Sequence, residues 1–134
     1  MNVDDCNQSL HPKAIEGLRL FNAGKYFEVH EELEAAWNDE HGRIRELYQG
    51  ILQAGVTYLH ITRGNYAGAI KVYGRSMKWL GQWPETCRGV EVGKLRNDLT
   101  TAIEEIKQLG EKRITEFNRD LLEPVVWKED QDGQ

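Results

Sequence analysis

Apolar residues recur along this chain at intervals of three and four, and strand-like alternation is absent. That period predicts helices throughout. Pro12 suits a first helical turn, Ile15, Leu18 and Phe21 form a stripe, and Gly24 ends the helix. A second helix is predicted from about Lys25 to Trp37, followed by a polar joint, Asn38 to Gly42. The third, about Arg43 to Arg63, is apolar around most of its circumference, as befits the middle of a bundle. Gly64 ends it, and Asn65 is placed to cap a fourth helix, about Tyr66 to Gln82, closed by Pro84. Leu95, Leu99, Ala102, Ile103, Ile106 and Leu109 mark a fifth helix over about 91–109, ending at Gly110. A short helical turn is expected between Ile114 and Leu122, and a loose tail over about 124–134 in which Val125, Val126 and Trp127 are placed to dock. The fold class is therefore all-α: a single-domain antiparallel bundle of about five helices spanning 1–134.

The run Asn22-Ala23-Gly24-Lys25-Tyr26 returns as Thr62-Arg63-Gly64-Asn65-Tyr66. Tetratricopeptide units use similar joints at a different period. The simpler reading is two helical hairpins solving one joint in the same way.

Composition narrows the function classes. The chain has 134 residues, 40% hydrophobic and 29% charged, with net charge -5, the profile of a folded domain. An acidic balance without a basic run disfavours nucleic acid as partner. No stretch approaches the roughly 20 apolar residues of a membrane helix, so no membrane partner is expected. Cys6 and Cys87 are far apart and give no CxxC pair; the expectation is no disulfide framework, in keeping with a cytoplasmic location.

The candidate chemistry lies on helices two and three. A wheel centred on His30 places Tyr26, Trp37, Phe27 and Leu33 around it, so His30 is expected to point into the apolar face with Glu34 beside it; Glu31 falls at the boundary. Gln49, Gln53 and His60 line up with Val56 as a polar strip on the third helix, flanked by Arg45 and Glu46. This strip is either the solvent edge of a buried helix or the partner of the polar residues on helix two. Around a turn centred near residue 40, Glu34 comes level with Arg45, which predicts a partly buried ion pair. His60 falls on the order of 15 Å along the bundle from the level of His30, which speaks against a two-histidine site. His30 and Glu34, spaced i and i+4, could share a divalent metal. The sequence HEELE lacks the second histidine of HExxH, and no nucleophile lies nearby.

The segments FNAGKYFEVHEELEAAW (21–37), RELYQGILQA (45–54), His60 and RGNYAGA (63–69) resemble the signature of the DUF309 family over about residues 10–80. Beyond Pro84 the likeness is that of a generic helix. The resemblance implies a small all-helical bacterial or archaeal protein with no established activity. The family pattern falls here on Phe27, His30, Glu31, Glu34, Trp37, Arg45, Gln49, Gly50, Gln53, His60, Gly64, Asn65, Gly68 and Ala69.

The expected function is a non-enzymatic module that binds a small molecule or a protein through His30, Glu31, Glu34, Arg45, Gln49, Gln53 and His60. The alternative is a metal-assisted hydrolase or lyase using His30, Glu31 and Glu34, with the metal on His30 and Glu34; no other cofactor is expected. Trp79 and Trp83, closing the fourth helix, raise a homo-oligomer as a further reading, against which they simply cap the monomer core.

Overall fold

The computed structural model describes residues 3–128. Five α-helices follow one another: α1 (Pro12–Asn22), α2 (Tyr26–Asp39), α3 (Ile44–Thr62), α4 (Tyr66–Leu80) and α5 (Val92–Leu109). Three 3-10 turns accompany them, Val3–Asn7 before α1, and Glu111–Glu116 and Arg119–Leu121 after α5. The fold is all-α except for a small antiparallel hairpin between α4 and α5, β1 (Thr86–Cys87) and β2 (Val90–Glu91).

The repeated glycine motif closes two equivalent joints. Gly24 and Gly64 have φ of 77° and 71°, a left-handed conformation that costs a residue with a Cβ. In each, the residue after the glycine donates its backbone N–H to the carbonyl five positions back, Lys25 to Leu20 and Asn65 to His60, at 2.9 and 2.8 Å. The glycine N–H groups reach Phe21 and Ile61 at 3.0 and 3.1 Å. Both are Schellman ends, so the internal likeness reflects a shared joint.

Helix α3 is the core helix. Leu47, Tyr48, Ile51, Ala54 and Tyr58 are fully buried. The rings of Phe21, Tyr26 and Tyr58 pack with centroids 5.3 to 5.6 Å apart and join α1, α2 and α3. The Ser76 hydroxyl donates to the Gly50 carbonyl at 2.8 Å and fixes α4 close against α3. Trp83 is buried in this core, whereas Trp79 is partly exposed; the first thus caps the monomer, as the simpler reading held.

Two features depart from the sequence expectations. The hairpin was not anticipated, because strands of two residues are too short to show alternation. Its turn residues Arg88 and Gly89 both have positive φ, 50° and 83°, the type I′ geometry that matches strand twist. Second, Cys6 and Cys87 form a disulfide across 81 positions, tying the N-terminal turn to β1. The expectation of no disulfide fails, and the inference to a reducing compartment goes with it. Spacing hid the bond, because the folded chain carries β1 back against the first turn. The described part of the tail docks through Val125 and Trp127, as expected. Asn22 grips Val125 from both sides, donating to its carbonyl at 2.8 Å and accepting its N–H at 2.7 Å. Trp127 bridges to Val90, and Lys128 N–H donates to the Gly89 carbonyl. The remainder, 129–134, lies outside the described residues.

Candidate functional site

The buried face of α2 is Tyr26, Val29, Leu33 and Ala36. His30, one residue past Val29 and so rotated by about 100°, sits at the lip of this face. The His30 and Glu34 side chains are 56% and 54% exposed, with Nδ1 of His30 3.5 Å from Oε2 of Glu34. The expectation of a histidine pointing into the core is thus corrected. The wheel was drawn with Phe27 and Trp37 as core residues, yet Phe27 is 64% exposed and Trp37 only half-buried.

The predicted Glu34–Arg45 ion pair is not formed. Arg45 stacks its guanidinium 3.7 Å from the centroid of the Trp37 ring and donates from Nε to the Trp37 carbonyl at 3.0 Å. It therefore caps the last turn of α2, where orphan carbonyls favour a cation. Glu46 pairs instead with Arg43 at 3.1 Å.

The polar strip of α3 faces an open groove of about 540 Å³. Gln49, Leu52, Gln53, Val56 and His60 line it from α3. The α2 side contributes His30, Glu34 and Trp37, and α4 contributes Val72 and Arg75. The strip is a half-exposed edge of the buried helix and shares this groove with His30 and Glu34, with no hydrogen bond between the two sides among the described residues. Arg45 and Glu31 do not line this groove. Glu31 instead joins Tyr26, Phe27, Glu28, His30, Val56 and Leu59 around a second trough of about 460 Å³.

His60 is oriented by its neighbour. Asn65 accepts the Gly68 N–H on Oδ1 at 2.9 Å, which leaves its amide nitrogen 3.1 Å from Nδ1 of His60. That nitrogen must donate, so neutral His60 carries its proton on Nε2. Among the described residues, Gln49, Gln53 and Arg75 have no side-chain partner, and no three His, Cys, Asp or Glu side chains converge as metal ligands. The proposed His30, Glu31 and Glu34 set is thus split between two depressions.

Val72 and the exposed Arg75 were not named as groove residues by the sequence reading. The signal was present: around the joint at Gly64, positions summing to about 128 come level in antiparallel helices. Arg75 then lies opposite Gln53, and Val72 opposite Val56.

Residues 14–72 match the family model described as "Domain of unknown function (DUF309)". That segment holds every groove residue except Arg75. The chain is 32% identical over 106 residues to "Uncharacterized protein YpuF" of Bacillus subtilis (strain 168), covering 75% of this chain and 61% of that protein. It is 27% identical over 103 residues to an "Uncharacterized protein" of Aquifex aeolicus (strain VF5), covering 74% of this chain and 28% of that one. The chain thus spans less than two thirds of the length of either relative. Among the described residues, no helix is long and apolar enough to cross a membrane.

Proposed function

From the premise that residues 14–72 match the DUF309 family model, we propose that this chain is a binding module whose groove on α2, α3 and α4 takes a hydrogen-bonding ligand. One observation carries the reading: the carboxamides of Gln49 and Gln53, one helical turn apart, line the groove with no partner among the described residues. A primary amide both donates and accepts, so two in register suit a ligand that alternates donors and acceptors. Nε2–H of His60 and the guanidinium of Arg75 add donors at the same groove. Leu52, Val56 and Val72 supply apolar surface between them, the mixture typical of ligand sites.

The competing reading is metal-assisted hydrolysis or elimination on His30 and Glu34. It rests on their 3.5 Å approach, which offers two ligands where catalytic zinc sites ordinarily use three from protein. Titrations of the isotope-labelled protein, followed by amide NMR, separate the two. N-acetylglycinamide is expected to shift the side-chain amide signals of Gln49 and Gln53, and Gln53→Ala to abolish the response. Zinc or manganese binding stoichiometrically at His30 and Glu34, with no response to the amide probe, would overturn the binding-module reading.

A further inference from the structure

The trough beside Phe27 adjoins the groove. It shares His30 and Val56 with it, so the two depressions meet at those side chains and together make a channel-like face on α2 and α3. Phe27 stands 64% exposed at its edge. One exposed ring is ordinary in a folded domain; here it adjoins the half-buried Val56 and Leu59. Tyr26, Val56 and Leu59 complete the apolar lining, and Glu28 and Glu31 line it with two carboxylates.

Charge selects the occupant. Helix α2 carries five acids, Glu28, Glu31, Glu32, Glu34 and Asp39, and no lysine or arginine. Glu32 is near Lys13, Asp39 contacts His11, and Glu34 faces His30. Glu28 and Glu31 are left without an ion pair among the described residues. Arg63, at 5.8 Å from the Phe27 ring centroid, and Arg75, which lines the groove end of the channel, are nearby cations, and neither lines the trough. An apolar trough lined by two unpaired carboxylates complements an apolar side chain flanked by cations.

Resting on the reading of the groove as a binding site, we infer that the channel docks a short, extended segment of a partner protein. The segment carries an apolar anchor between lysine or arginine residues. From Tyr26 to Trp37 α2 rises about 17 Å, which an extended chain covers in about five residues. The anchor packs on Phe27 and Leu59, the flanking cations face Glu28 and Glu31, and the peptide backbone continues over the amides of Gln53 and Gln49. Other occupants fit less well. Residues 129–134 of this chain carry three acids, Glu129, Asp130 and Asp132. A second copy meeting face to face would set Glu28 and Glu31 against like charges, and an anionic lipid surface meets the same repulsion.

The test uses the acetylated, amidated pentapeptide Lys-Phe-Lys-Leu-Lys and its counterpart Glu-Phe-Glu-Leu-Glu, titrated into the full chain and read by amide NMR. The basic peptide is expected to shift Phe27, Glu31, Val56 and Gln53 with one common affinity, and the acidic one to bind at least tenfold more weakly. Phe27→Ala should weaken binding roughly tenfold, and Glu28→Gln or Glu31→Gln roughly threefold each. Glu28→Lys with Glu31→Lys should reverse the preference between the peptides. These side chains are exposed, so the variants fold, which their amide spectra check directly. Equal binding of both peptides, or shifts confined to Gln49 and Gln53, overturns the docking proposal while the groove reading stands. No peptide response, with N-acetylglycinamide still bound, does the same. Concentration-dependent broadening at Phe27 without peptide identifies a second copy and overturns it as well.

Discussion

Two polar clusters stand in opposite relations to this fold. Where the hairpin meets the N-terminal turn, Arg88 is 7% exposed and its guanidinium is enclosed by acceptors. Nε donates to the Asp5 carbonyl at 2.6 Å, and Nη1 reaches Oε2 of Glu40 at 2.5 Å and the Tyr48 hydroxyl at 3.2 Å. Ser9 and Gln8 supply further acceptors, and the Tyr48 hydroxyl donates to Glu40. On the α2–α3–α4 face, by contrast, Gln49, Gln53 and Arg75 have no partner within the described chain, and His30 and Glu34 are more than half exposed. The first cluster satisfies itself internally around the buried Arg88 guanidinium, as buried polar groups must. The second leaves its amide groups half-exposed and without a partner among the described residues. Internal satisfaction, more than polarity on an apolar helix, is what separates scaffold from site here.

The strongest way to break this contrast is to remove Arg88. Tyr48 would then stay buried without its donor, and the three-quarters-buried Glu40 would lose its counter-charge. Arg88→Ala is expected to cost about 3–5 kcal/mol in urea unfolding, the range for orphaning one partner of a buried pair. A double-mutant cycle with Glu40→Ala should show clear coupling. A loss below about 1 kcal/mol would place the corner with ordinary surface pairs.

The disulfide gives the next effect, because it closes the same corner. Reduction, or Cys6→Ser with Cys87→Ser, is expected to cost about 2–4 kcal/mol. Arg88 still holds Asp5 and Ser9, so the N-terminal turn should stay docked at neutral pH. Hydrogen exchange on the reduced protein checks this: protection lost only around the first turn fits, and a spread into α3 does not.

Alkaline pH probes the corner through Tyr48. Burial pushes its hydroxyl from 10.0 up to about 12, against smaller opposing effects from the His11 N–H and the Arg88 charge. Burial raises Tyr58 in the same direction. The folded chain therefore holds these protons more tightly than the unfolded chain does. Their contribution is complete below pH 10 and is lost as pH climbs toward 12, about 2–3 kcal/mol for Tyr48 alone. Urea midpoints measured from pH 9 to 12 should fall along that window. A flat profile would mean that water reaches the corner.

The sequence made the helices legible because their ends are chemically marked. Gly24, Gly64, Asn65 and Pro84 each stop or start an element for a local reason. The polar strip Gln49, Gln53 and His60 was legible for the same reason, as a period-matched break in an apolar helix. What could not be read locally was which carboxylate meets which arginine. Glu40 lies in a joint and Arg88 in a two-residue turn, 48 positions apart, and no helical period connects them. Aromatic residues misled in the opposite sense. Phe27 and Trp37 count as core on any hydrophobic wheel, yet one is bare and the other lies under the guanidinium of Arg45.

The smallest effect tests that misreading directly. Had Glu34 and Arg45 formed a buried pair, losing either would cost about 3–5 kcal/mol. Glu34 is instead 54% exposed and 3.5 Å from a half-exposed histidine, so Glu34→Ala should change stability by under about 1 kcal/mol. Arg45→Ala should cost somewhat more, because it uncovers the Trp37 ring and frees its carbonyl. The two losses should simply add in a double-mutant cycle, since the side chains have different partners. Coupling above about 1 kcal/mol would bring back the buried pair and move Glu34 from the groove into the scaffold. Additivity, alongside strong coupling of Arg88 with Glu40, keeps Glu34 outside the scaffold, on the exposed lining of the groove.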